Sequence, residues 1–240
     1  MKILSSHNVD LTKYGLKGSA YYIRVSPGEL EVTIKEILIE LSNFSWLAKF
    51  NKEYLRKSME HKAQATCDYL KKSFYDDQDN PLVSNAGEYI VSTLSKRSIV
   101  EQLGHLDVPL AELLGRKKVG NPGFDFFTED MDEHMVSCGE SKYVNGVNAY
   151  NTSLGQIRQF VADKKYYDDI PILQALVEEE ALEKMGNDQF GVSVAFSATN
   201  ISDNDLIDNI ARNVNFKELV KDYKIILVAV NMNEENAGLD

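Results

Sequence analysis

Apolar and polar positions recur along this chain with two periods, and the changes of period mark its elements. Ala20-Tyr21-Tyr22-Ile23-Arg24-Val25 reads as a short strand. Ser26-Pro27-Gly28-Glu29 then reads as a helix start, with serine to cap, proline at the first helical position and Glu29 where a capping box places its acid. Leu30, Ile34, Ile37, Leu38 and Leu41 follow at helical spacing, although the β-branched Val32, Thr33 and Ile34 leave a strand open here. Leu55, Met59, Ala63, Cys67, Leu70 and Phe74 form the apolar stripe of one long helix, with Lys and Glu filling much of its other face. The polar run Tyr75-Asp76-Asp77-Gln78-Asp79-Asn80-Pro81 ends it and sets the main organisational break.

Beyond the break a helix is expected from about Ala86 to Leu103, with Tyr89, Ile90, Leu94 and Val100 inward, then a short helical turn over Leu110 to Leu114. Two strands follow, Gly123 to Thr128 and Met135 to Val144, joined into a hairpin by the acidic turn Glu129 to Glu133. Helices are expected over Ser153–Ala162, Ile172–Met185 and Asp203–Asn213. The apolar runs Val192–Ala198 and Ile225–Val230 read as buried strands. The tail from Asn231 is polar. The second half is therefore a mixed α/β sheet with helices on its faces.

Bulk properties narrow the function classes. The chain has 240 residues and a formal charge of −11, from 26 basic and 37 acidic residues. A free-standing DNA binder is usually basic, because phosphate neutralisation supplies most of its affinity. Action on DNA therefore calls for a divalent metal, a local basic patch or a partner. The acidic balance also disfavours anionic membrane surfaces. Cys67 and Cys138 form neither a zinc spacing nor a disulfide framework and read as buried thiols. Met1 to His7 lacks the apolar stretch of a signal peptide, and Ile225–Val230 is too short to span a bilayer, so a cytoplasmic protein is expected.

The candidate chemistry lies in Gly120-Asn121-Pro122-Gly123-Phe124-Asp125-Phe126 and Cys138-Gly139-Glu140-Ser141-Lys142-Tyr143. Strand alternation puts Glu140 and Lys142 on one face, and the hairpin brings Asp125 beside them. Phe124 and Phe126 are expected to point the other way into apolar packing. Two carboxylates can hold a hard divalent cation, with the Ser141 carbonyl as a further ligand. Such a cation polarises a phosphate and lowers the pKa of its water, and a neighbouring lysine can orient that water or offset phosphate charge. Glu88, at the start of the preceding helix, can reach the metal, and Gln156, one turn before Phe160, can contact substrate or a metal-bound water. Blander readings stand beside these. The triad could be a cross-strand salt-bridge ladder, and Glu88 could simply complement its helix dipole. Arg116, Lys117 and Lys118 suit phosphates or a solvated turn equally. His134 and Cys138 could share a face but lack the further ligands of a zinc site.

The order Glu88, Asp125, Glu140-x-Lys142, Gln156 resembles the PD-(D/E)xK nuclease superfamily. Leu114-Gly115-Arg116-Lys117, with the two segments above, is more closely similar to the HamA family, the nuclease subunits of Hachiman antiphage defence systems. The resemblance covers roughly Gly87 to Phe160. It implies a restriction-endonuclease-like core over residues 81–240 with a mostly helical N-terminal extension over residues 1–80. It makes Asp125 and Glu140 metal ligands, Lys142 the catalytic lysine, Glu88 an auxiliary ligand and Gln156 the helix glutamine. Phe160 stands where some branches carry tyrosine. The implied activity is Mg²⁺-dependent (or Mn²⁺-dependent) DNA cleavage, restrained by a helicase partner, HamB. A catalytically inactive regulatory or DNA-binding subunit and an RNA-directed nuclease remain the alternatives.

Overall fold

The computed structural model describes residues 1–75, 84–115 and 123–232. Seven strands form one mixed sheet. They are β1 (Lys2–Asn8), β2 (Ala20–Ser26), β3 (Leu106–Asp107), β4 (Phe126–Asp130), β5 (Met135–Lys142), β6 (Gly191–Ala198) and β7 (Ile225–Asn231). Their order across the sheet is β1-β2-β7-β6-β5-β4-β3. The central pairs β2–β7, β7–β6 and β6–β5 are parallel, and the outer pairs β1–β2, β4–β5 and β3–β4 are antiparallel. β6 is buried along its whole length, as its run of apolar and small residues requires.

Eight helices lie among the described residues: α1 (Leu30–Leu41), α2 (Glu53–Tyr75), α3 (Ser84–Leu103), α4 (Tyr150–Ala162), α5 (Ile170–Leu173), α6 (Glu179–Gly186), α7 (Asp203–Arg212) and α8 (Val214–Asp222). Strand alternation sorts them onto two faces. Ile226, Val228 and Val230 pack with α1, α2 and α3, whereas Ile225, Leu227 and Ala229 pack with α4, α6, α7 and α8. The architecture is thus three layers, helices on both sides of a sheet. The sheet joins both parts of the chain that the sequence divides at residue 80, since β2 lies in register against β7.

Several expectations are corrected, though α1 is the helix that its apolar spacing predicts, with Ile34, Ile37, Leu38 and Leu41 burying one face. It starts at Leu30 with Glu29 as its uncapped flanking residue, while Ser26 stays in β2. In α3 it is Ile99, not Val100, that is fully buried. Residues 111–115 form turns rather than a helix. The helix expected over Ile172–Met185 is two helices. The buried Glu129 carboxylate accepts the Glu178 backbone N–H (3.2 and 3.3 Å) and fixes the start of α6 there. The hairpin strands are shorter than expected, with residues 123–125 outside β4 and residues 143–144 outside β5. Edge strand β1 and helix α8, capped by Asn213 Oδ1 on the Asn215 and Phe216 amides, add to the expected elements. Most of the polar break, the basic run Arg116 to Lys118 and the last eight residues lie outside the described residues. Among those described, no helix is long and apolar enough to cross a membrane.

Candidate active site

β5 enters the site at its carboxyl end, where β4 has stopped covering it. Phe126 stands opposite Gly139 in the antiparallel register, and Asp125 is the residue just before β4 begins. Asp125 is tied down at three points. Its N–H donates to the Gly139 carbonyl (2.8 Å), its carbonyl accepts the Ala111 N–H (3.0 Å), and its Oδ2 accepts the Ser141 N–H (2.7 Å). The carboxylate therefore replaces the strand neighbour that Ser141 lacks. In an extended strand the N–H and C=O of one residue point to the same side, so the Ser141 carbonyl faces the same gap.

Glu140 and Lys142 do share a face. Lys142 Nζ lies 2.9 Å from Glu140 Oε1 and 3.3 Å from Glu88 Oε1. Glu140 is almost wholly buried, and Lys142 and Glu88 are partly so. Burial pulls the Lys142 pKa down, but Glu140, Asp125 and Glu88 together outweigh it and hold the ammonium above its ordinary value. Lys142 is a fixed cation at neutral pH.

The stretch Gly139 to Tyr143 has a packing reason at each end. The Phe126 ring lies over Gly139, where a Cβ would come within 2.3 Å of its Cζ. The Tyr143 ring lies against Gly87 at the start of α3, where a Cβ would come within 2.2 Å of Cδ1. The first contact seats β4 on β5, and the second brings α3, and with it Glu88, to the end of β5. One expectation about the aromatics is corrected: Phe124 and Phe126 are both buried but on opposite faces of the sheet. Phe124 precedes β4, escapes strand alternation, and packs edge-on against Phe160 of α4 (centroids 5.4 Å apart).

Gln156 is half-buried on α4, on the helix edge running from Ser153 to Phe160. Ser153 Oγ donates to the Glu140 carbonyl (2.9 Å) and Phe160 meets Phe124, so that edge spans the site. The Gln156 amide makes no hydrogen bond among the described residues, and none joins it to Asp125, Glu140 or Lys142. Ser153 and Ala111 hold the site from behind and had no signal in the sequence beyond their place in a helix and a turn. His134 sits in the hairpin turn with Nδ1 2.6 Å from Glu178, while Cys138 is buried in the apolar layer with its thiol pKa pushed up by burial. The two do not form a metal pair. Both cysteines are free and buried.

Asp125, Glu140 and the Ser141 carbonyl offer oxygen donors, the chemistry of a hard divalent cation rather than of zinc. Among the described residues no three His, Cys, Asp or Glu side chains converge as a metal-binding group. The Glu88 carboxylate is drawn to Lys142. The site thus presents the Asp125 and Glu140 carboxylates beside a lysine that offsets part of their charge.

No protein-family model matches the chain, no curated protein matches it, and no solved structure matches it.

Proposed function

We propose that this protein is a Mg²⁺-dependent DNA nuclease with a PD-(D/E)xK-type core, acting as the HamA-like effector of a two-component antiphage complex under a HamB-like helicase. The observation that carries the reading is the meeting of Asp125, Glu140 and Lys142 at the carboxyl end of a central parallel strand. Ligand sites in α/β sheets favour the carboxyl ends of their parallel strands.

The roles follow from position. Asp125 and Glu140 would hold the cation, with the Ser141 carbonyl beside them. The cation supplies Lewis acidity and a low-pKa water when bound. Lys142, 2.9 Å from Glu140, would offset charge on a phosphate oxygen or orient the attacking water. Ser153 and Ala111 hold the backbone carrying Glu140 and Asp125, so both carboxylates are positioned before substrate arrives. Gln156 would face the substrate from α4. The strongly acidic chain suits a subunit that relies on a partner to deliver DNA.

Cleavage of plasmid DNA with Mg²⁺, comparing wild type with Glu140→Ala/Lys142→Ala, tests this. Loss of cleavage in the variant is expected, and equal cleavage by both overturns the site. Where neither cleaves alone, the helicase and ATP are added before the comparison is repeated. A second reading, a non-catalytic regulatory subunit, is favoured by the Lys142 bridge to both Glu88 and Glu140, which already offsets part of the pocket's negative charge. Calorimetric titration with Mg²⁺ and Mn²⁺ separates the two, since only the nuclease needs the metal. RNA cleavage in the same buffer decides the nucleic acid.

A further inference from the structure

A groove outside the carboxylate site runs between α2 and the α5 region. Its volume is about 680 Å³. Leu55, Ser58, Met59 and Lys62 line one wall at the i, i+3, i+4 and i+7 spacing of a single α2 face, and Pro171 and Ile172 line the other. Lys49, Lys52 and Lys62 are the charged residues lining it, and no described acidic residue does. That is an unusual concentration in a chain of formal charge −11. Lys49 is partly committed, since its Nζ donates to the Leu176 carbonyl (3.0 Å) and bridges the walls. Lys52 and Lys62 are exposed, and both make no ion pair among the described residues.

The α2 wall of the groove is tied through packed residues to the backbone that holds the candidate site. The Lys62 stem lies over Gly115, where a Cβ would stand 3.0 Å from its Cδ. One turn further along the same face, Thr66 Oγ1 donates to the Glu112 carbonyl (3.2 Å). The adjacent Ala111 N–H donates to the carbonyl of Asp125 (3.0 Å).

We infer that this groove binds a single nucleic-acid strand, with Lys52 and Lys62 on its phosphates and its bases against Leu55 and Ile172. Charge complementarity selects a polyanion, and the apolar floor selects one with flat apolar faces to bury. Lys52, just before α2, and Lys62 are ten positions apart, about 15 Å along the helix axis, enough for a few successive phosphates. The inference deepens the nuclease reading, on which it rests, by giving its substrate a binding surface outside the carboxylate site, and it is tested without cleavage.

The experiment measures anisotropy of a fluorescent oligodeoxythymidylate titrated with the full chain in EDTA. Three variants accompany wild type: Lys52→Glu/Lys62→Glu, a charge-matched control Lys35→Glu/Lys217→Glu, and Asp125→Asn/Glu140→Gln. The groove variant should bind at least about 10-fold more weakly, and its slope of log affinity against log salt should fall by about 1.4, two phosphate contacts' worth for a single strand. The control should bind nearly as wild type does. Equal loss in the control, undiminished binding by the groove variant, or no binding by wild type overturns the inference. So does displacement of the oligonucleotide by poly-glutamate at equal charge, which would make the occupant an acidic protein segment. Binding by the Asp125→Asn/Glu140→Gln variant keeps this result independent of the nuclease reading. Groove binding with no cleavage by wild type would sink that reading and leave this one standing.

Discussion

Asp125 Oδ2 accepts the backbone N–H of Ser141 at 2.7 Å, so the side chain proposed to hold a metal also completes the hydrogen bonding of β5. Asp125→Ala leaves that buried amide without its acceptor and is expected to cost about 1–3 kcal/mol. Asp125→Asn keeps an acceptor oxygen at the same place and should cost less. Urea unfolding of the two variants checks the order; equal losses would mean that the contact contributes little.

Metal dependence gives a readout besides activity. Saturating Mg²⁺ should raise the melting temperature of wild type, because a ligand held only by the folded state stabilises it, by about 2.7 kcal/mol at a hundredfold excess over Kd. Asp125→Asn/Glu140→Gln should show no rise, and EDTA should return wild type to its metal-free value. A rise shared by both proteins would place the cation elsewhere.

Lys142 neutralises Glu140, whose side chain is about 1 % exposed. Lys142→Met leaves a buried carboxylate without its cation and is expected to cost about 3–5 kcal/mol. The double variant Glu140→Gln/Lys142→Met should recover most of that loss, and a double-mutant cycle by urea unfolding measures the coupling. The lysine pKa is raised on folding, so its contribution is complete below the unfolded value, near 10.4, and is lost only as pH rises through the folded value. Between pH 6 and 9 this pair should therefore produce no slope in stability.

Gly139 and Gly87 are predicted to tolerate no side chain. Alanine at either meets an aromatic ring, Phe126 or Tyr143, and is expected to cost about 1–3 kcal/mol through forced repacking. Phe126→Leu should partly rescue Gly139→Ala and leave Gly87→Ala unrescued. Thermal melts of the four variants test the pairing.

His105 gives the acid side of the stability profile. Burial holds its pKa below the usual 6.5 against the opposing pull of Asp130 and Glu133, and its Nδ1 lies 3.0 Å from Thr128 Oγ1. A depressed folded value means the contribution is present above about pH 6.5 and is lost as pH falls through the folded value. The slope should approach at most about 1.4 kcal/mol per pH unit. His105→Asn should flatten that part of a urea-derived stability curve, and an unchanged slope would assign it to other groups.

The sequence by itself determined the elements whose burial pattern is local. The stripe Met59, Ala63, Cys67, Leu70, Phe74 reads as one face of a helix, and the apolar run of β6 as a buried strand, and both are so in the fold. Alternation along β5 also put Glu140 and Lys142 on one face before any fold was known. Tertiary structure decided what depends on distant partners. α6 begins where it does because a buried Glu129 takes the Glu178 amide. β1 and β2 join the sheet because β7 offers β2 a parallel edge. Phe124 and Phe126 part company because the strand starts between them. Within the candidate site, spacing named Asp125, Glu140, Lys142 and Glu88, but only packing placed Lys142 between the two glutamates and Asp125 on the Ser141 amide. Periodicity records which way a side chain points relative to its neighbours in sequence. Hydrogen bonds and ion pairs across 16 or 54 residues form only when the sheet has set its register.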